Sequence, residues 1–108
     1  MKRGDLVTVS LPGDYGKPRP ALIIQSDLFG MHPSVVVLPI TSELQNAPLF
    51  RIRLMPDSQN GLNKPSQVMV DKPYTIARTK VSAAFGNLDD GALIEVERSL
   101  ALFLGIAK

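Results

Sequence analysis

Ser34-Val35-Val36-Val37-Leu38-Pro39-Ile40 is a nearly continuous run of β-branched and aliphatic side chains, too short for a buried helix. With Ala21–Gln25 (ALIIQ), which has the same character, it reads as one of two central strands. The pattern weakens outward into half-buried strands. Asp5–Ser10 (DLVTVS) alternates apolar and polar, and Phe50–Met55 (FRIRLM) sets Arg51 and Arg53 on the face opposite Phe50, Ile52 and Leu54. Two further short strands are predicted over Ser66–Val70 and Tyr74–Arg78. Nine prolines and eight glycines cut the chain into these pieces, with loops over Leu11–Pro18 and around Asn60-Gly61. The character changes after Asn87. Leu88-Asp89-Asp90 offers a helix N-cap, Leu93, Val96, Leu100 and Phe103 recur at helical spacing, and Gly105 supplies a stop. The expectation is an α+β, mainly β domain: five to seven short strands in a small barrel or sandwich, closed by a C-terminal helix over about residues 90–104.

Composition narrows the function classes. At 108 residues the chain has room for one domain, residues 1–108, with one core. Its 44% hydrophobic content is too high for a disordered segment, and no apolar run approaches the roughly 18 residues a membrane span needs. Met1-Lys2-Arg3-Gly4-Asp5 has basic residues with no apolar stretch behind them, so no signal peptide is expected and the cytoplasm is the default location. There is no cysteine, hence no disulfide, thiolate metal site or cysteine nucleophile, and a single histidine, His32, in a predicted loop. Residues 1–80 carry ten Lys/Arg against six Asp/Glu, and residues 81–108 carry two against four. A positive charge gathered in one part of the chain is compatible with a polyanionic partner.

Standard catalytic devices are missing: no phosphate-cradling glycine loop, no GxSxG, no HExxH and no carboxylate cluster of metal-binding type. Three segments stand out instead. In Pro18-Arg19-Pro20 two prolines fix the backbone on either side of Arg19, whose planar fork suits a phosphate or an internal salt bridge to Asp5, Asp71 or Asp27. Thr41-Ser42 puts two hydroxyls at a strand end, either to touch a ligand or to cap a short helical turn over Glu43–Asn46. In Pro65–Lys72, alternation sets Gln67, Met69 and Asp71 on one face, and Gln67 with Asp71 makes a polar pair that a barrel interior would not accept, so that face reads as wet or functional.

Taken together and in this order, these segments resemble the MazF/PemK family of toxins from bacterial toxin–antitoxin systems. Lys2-Arg3-Gly4-Asp5-Leu6-Val7 looks like that family's RGD-led first strand, and Arg19-Pro20-Ala21-Leu22-Ile23-Ile24-Gln25-Ser26-Asp27 like its second. Leu38-Pro39-Ile40-Thr41-Ser42 is similar to its P-I/V-T-S segment, and Leu88–Ile106 to its C-terminal helix. The resemblance implies an SH3-like β-barrel, a homodimer, and cleavage of single-stranded RNA, often mRNA, without metal or other cofactor. In that chemistry the ribose 2′-OH attacks the adjacent phosphate and leaves 2′,3′-cyclic phosphate and 5′-OH ends. By the family motif Arg19 is the catalytic arginine on the scissile phosphate, Thr41 the hydroxyl that positions it with Ser42 beside it, and Asp71 an acidic residue near the cleaved phosphate, as general base or as the partner that orients Arg19. Tyr15 and Lys17 fall in the loop that borders the RNA channel, and Gln67 and Lys72 join the RNA-binding set. The implied partner is a cognate antitoxin whose flexible tail lies in the basic groove.

Two positions depart from the family. Lys72-Pro73-Tyr74-Thr75-Ile76-Ala77 has Tyr74 at the usual arginine and Ala77 at the usual aspartate, with Lys72 available to replace some of the charge. Two other functions fit a barrel of this kind. One is a non-catalytic RNA-binding barrel. The other is a DNA gyrase poison of CcdB type, although such toxins end in tryptophan–glycine–isoleucine where this chain has Leu104-Gly105-Ile106.

Overall fold

The computed structural model describes residues 1–11 and 17–107. Seven strands form one curled antiparallel sheet: β1 (Asp5–Ser10), β2 (Pro18–Ile23), β3 (Ser34–Thr41), β4 (Arg51–Leu54), β5 (Ser66–Met69), β6 (Tyr74–Ala77) and β7 (Gly86–Asn87). One helix, α1 (Asp90–Phe103), follows, and single 3-10 turns lie at Asp27–Phe29 and Arg78–Lys80. The strand order is β4-β5-β3-β2-β1-β7, with β6 also on β3. The result is a half-barrel of mainly β structure with a C-terminal helix, as the alternation predicts. The two 3-10 turns and the two-residue β7 are too short to leave a periodic signal.

Register explains how the two central strands came to be nearly all apolar. Leu6, Leu22 and Leu38 point into one core with Ile52, Leu54, Val68 and Val96. Their neighbours Val7, Ala21 and Val37 point into a second core on the opposite face with Val9, Ile23, Val35 and Ile76. A strand buried on both faces has no polar position to alternate with. The long β3 serves two partners along one edge: Ser34–Val37 pair with β6, and Ile40 and Thr41 pair with β5. Val36 donates its amide to Gln25 Oε1 and accepts at its carbonyl from Ile24, so it faces β2. By alternation Pro39 turns its missing amide to the other edge, where β3 passes from β6 to β5.

Several motif residues prove to be structural. The Gln25 side chain continues β2 beyond Ile23, accepting from the Val36 amide at 3.1 Å and donating to the Ser34 carbonyl at 3.0 Å. The Arg3 guanidinium donates to the Ile24 carbonyl and pairs with Glu97 of α1 at 3.0 Å, tying the end of β2 to the helix. Asp5 accepts from the Lys2 amide, and Asp27 from the Arg3 amide. Asp89 caps α1 by accepting from the Ala92 amide at 2.8 Å, and Gly105 ends it at φ +76°, where only glycine is unstrained. Val96 carries the helix's buried face, whereas Phe103, on the same predicted stripe, is half exposed.

Candidate functional site

A cleft of about 930 Å³ opens where β2 and β3 stop pairing. Its position follows from two prolines. The Ile24 amide donates to Val36, so Ile24 faces β3, and every second residue before it, Leu22, Pro20 and Pro18, faces the same way. Pro20 therefore has no amide to give across to β3 where the next pair would form, and the β2–β3 ladder ends at Ala21↔Pro39. Pro18 and Pro20 still pair with Ser10 and Thr8 of β1, since their amides are not needed on that edge. Carried two residues past Ala21↔Pro39, the β2–β3 register sets Arg19 across from Thr41 on one sheet face, and both line the cleft.

The sequence-predicted residues divide accordingly. Arg19, Thr41, Ser42 and Lys72 line the cleft together. Arg19 is exposed at its mouth, and the three carboxylates considered for it are engaged elsewhere: Asp5 at the N-terminus, Asp27 on the Arg3 amide, Asp71 with Arg51 and Lys72. Thr41 Oγ1 accepts from the Glu43 amide at 3.0 Å, closing a bend rather than a helical turn, and its hydroxyl hydrogen stays free to donate. Lys17 is exposed just before β2, outside the lining. Tyr15 lies outside the described residues.

Gln67 and Asp71 stand behind the wall instead of in it. Gln67 is buried, and its amide completes the backbone of Gln45, accepting from its N–H at 3.0 Å and donating to its carbonyl at 2.8 Å. This clamps the Thr41–Asn46 bend to β5, so the polar face read as wet is sealed by a partner 22 residues away. Asp71 follows the end of β5 in a turn closed by the Lys72 amide on the Met69 carbonyl, where strand alternation no longer applies. Its carboxylate faces the Arg51 Nε and Lys72 Nζ, each at 3.8 Å.

The far wall is read from the sequence only as a loop around Asn60-Gly61, with no role for it. Asn60, buried, accepts from the Asp57 and Leu62 amides and donates to the Met55 carbonyl, shaping a loop that brings Gly61, Leu62, Asn63 and Lys64 to the cleft. Phe85 joins them with its ring 41% exposed. Arg51 also lines the cleft, and the only signal for it was its place opposite Ile52 on an alternating strand. Four cations (Arg19, Arg51, Lys64, Lys72) thus meet one carboxylate, Glu43, around a groove with an aromatic side, a combination suited to a single-stranded polyanion with bases to stack. Among the described residues no three His, Cys, Asp or Glu side chains gather as a metal set, and no helix is long and apolar enough to cross a membrane.

Known proteins match nearly the whole chain. The chain is 44% identical over 108 residues to a "Probable endoribonuclease MazF" of Mycolicibacterium smegmatis, covering 99% of each sequence. It is 26% identical over 111 residues to the endoribonuclease EndoA of Bacillus subtilis, covering 98% of this chain and 96% of that one. In fold it superposes with a TM-score of 0.83 on a mycobacterial endoribonuclease solved in complex with its cognate antitoxin, at 20% identity, covering 100% of this chain and 98% of that one. The PemK-like, MazF-like toxins of type II toxin–antitoxin systems match residues 2–104, and the chain belongs to that family.

Proposed function

We propose that this chain is the toxin of a toxin–antitoxin pair and acts in the cytoplasm as an endoribonuclease on single-stranded RNA. The observation that carries this is that Arg19 and Thr41 line one cation-rich cleft, on strands that pair just before it. A ribose 2′-oxygen attacks the adjacent phosphorus, the bond to the 5′-oxygen breaks, and the departing oxygen takes up a proton, leaving 2′,3′-cyclic phosphate and 5′-OH ends. The phosphorane formed on the way carries an extra negative charge. Arg19 meets it with two parallel N–H donors, and Thr41, with Ser42 beside it, donates a hydroxyl that orients the phosphate. Lys72 adds positive charge where the family's usual arginine is replaced by Tyr74, and Asp71 acts from behind by holding Lys72 in place. Lys17 borders the path of the strand, and Gln67 keeps the Ser42 bend in position. The working form is a homodimer, and the partner is an antitoxin whose extended acidic or apolar tail competes for the groove.

Incubation with a long single-stranded RNA in EDTA, followed by analysis of fragment ends, tests this. Discrete fragments with cyclic phosphate and 5′-OH ends are expected. Intact RNA across several substrates would leave a non-catalytic RNA-binding barrel. Two substitutions probe the walls. Thr41→Val removes the hydroxyl at nearly constant shape and is expected to slow cleavage about 10- to 100-fold, the worth of a hydrogen bond to a charged group. An unchanged rate would take Thr41 out of the site. Phe85→Ala is expected to weaken binding of an uncleavable RNA by about 1–3 kcal/mol if a base stacks there, and equal affinity in a titration would show that none does.

A further inference from the structure

Arg51 has more burial and fewer partners than a structural arginine should have. Its side chain is only 7% exposed, on the first residue of β4, and it lines the cleft. Its neighbour Ile52 enters the main core, so by alternation Arg51 lies on the opposite face with its cross-strand partner Met69, which also lines the cleft. Asp71 Oδ1 is 3.8 Å from the Arg51 Nε, beyond hydrogen-bond reach. Both atoms are buried and neither has a hydrogen-bond partner. The more exposed Arg3–Glu97 pair in the same molecule closes to 3.0 Å. An unfilled Nε donor on a guanidinium this deep is costly, and it is tolerated where the fork beyond it has a ligand to meet.

We infer that Arg51 is a second phosphate-binding cation of the cleft, with Asp71 as its positioning residue. The inference rests on the RNA reading above and deepens it. Arg19 on β2 and Arg51 on β4 are separated by β3 and β5 in the strand order and line the same cleft from different strands. In this inference they hold different phosphates of one strand. Asp71 divides its carboxylate between Arg51 and Lys72, keeping two cations close together while standing outside the lining, where it does not meet the anion directly. A phosphate gives the Arg51 donors the short, charge-assisted bonds that Asp71 is too far away to make.

The test is binding of a mixed-sequence 2′-O-methyl single-stranded RNA in EDTA across a salt series, which does not depend on cleavage. The variants are Arg51→Met/Asp71→Asn, which removes both buried charges together, and Arg51→Lys. The double variant is expected to bind about tenfold more weakly, with the slope of log affinity against log salt smaller by about 0.7, one phosphate contact on a single strand. Arg51→Lys keeps the charge and loses the fork, so it should keep the slope and bind several-fold more weakly. Equal affinity and slope in a folded double variant would overturn the inference. If the double variant does not fold, unchanged affinity in Arg51→Lys overturns it in the same way. A wild-type chain that binds the 2′-O-methyl strand and cuts no RNA would sink the nuclease reading while leaving this one to stand on its slopes. A chain that does not bind the strand at all would sink this one.

Discussion

Arg19→Ala is expected to lower the cleavage rate by about 10² to 10³-fold, the usual effect of removing one donor from the charge that develops in a transition state. The fold should remain. Arg19 is exposed, and its backbone is fixed by Pro18 and Pro20 and by pairing with Val9, none of which depends on the guanidinium. Surface truncations of this kind change stability by about 0.5 kcal/mol or less. Arg19→Lys separates charge from shape, because an ammonium supplies the charge without two parallel donors. It should recover only part of the rate. Single-turnover cleavage beside a denaturation curve reads both quantities. Loss of folding in Arg19→Ala would give the residue an internal structural role, and full activity would remove it from the reaction.

Gly86→Ala should have the largest effect on stability for a substitution of one methyl group. A Cβ at Gly86 would sit 2.2 Å from the Asn60 carbonyl oxygen, 2.4 Å from its carbon and 2.8 Å from the Gln59 carbonyl oxygen, all of them backbone atoms. Neither side can yield cheaply. Gly86 is paired to Leu6 of β1, and the Asn87 amide donates to the Gln59 carbonyl at 3.0 Å. Asn60 is locked by bonds to Asp57, Leu62 and Met55. Overpacking against backbone costs about 3 kcal/mol, at the upper end of the range for added methylene groups. The displaced residues lead straight into Gly61–Lys64, so the cleft wall should move as well. A fall in the urea midpoint at constant m-value, together with weaker RNA binding, is the expected pair of results. An unchanged midpoint would mean that the Asn60 loop shifts freely.

What the chain spells out locally was legible. SVVVLPI and ALIIQ announce strands buried on both faces, and Asp89 announces the helix start, because each signal and its cause lie within a few residues of each other. Of the cleft lining, what was legible sits at strand ends and in the turn after β5, at Arg19, Thr41, Ser42 and Lys72. Gln67 was read on a wet or functional face, and it is buried because its partner, the Gln45 backbone 22 residues earlier, leaves no local signal. Asp71 was placed beside Gln67 by a strand period that had already ended at Met69. The Asn60 wall and Arg51 went unseen for the same reason: their roles depend on contacts with β7 and with the turn after β5, which no local pattern encodes.

The two prolines that open the cleft also decide which atoms can do its work. On the side of β2 that faces the gap, Pro18 and Pro20 present carbonyl oxygens and no N–H. Many enzymes cradle a developing anion in backbone amides, and that cradle survives most substitutions. The β2 wall cannot build one. Its attraction for an anion is carried by a side chain, and for that reason a single codon can switch it off. A toxin-family chain built this way stands to lose that attraction through one base change at Arg19, with Pro18, Pro20 and the strand pairing left in place.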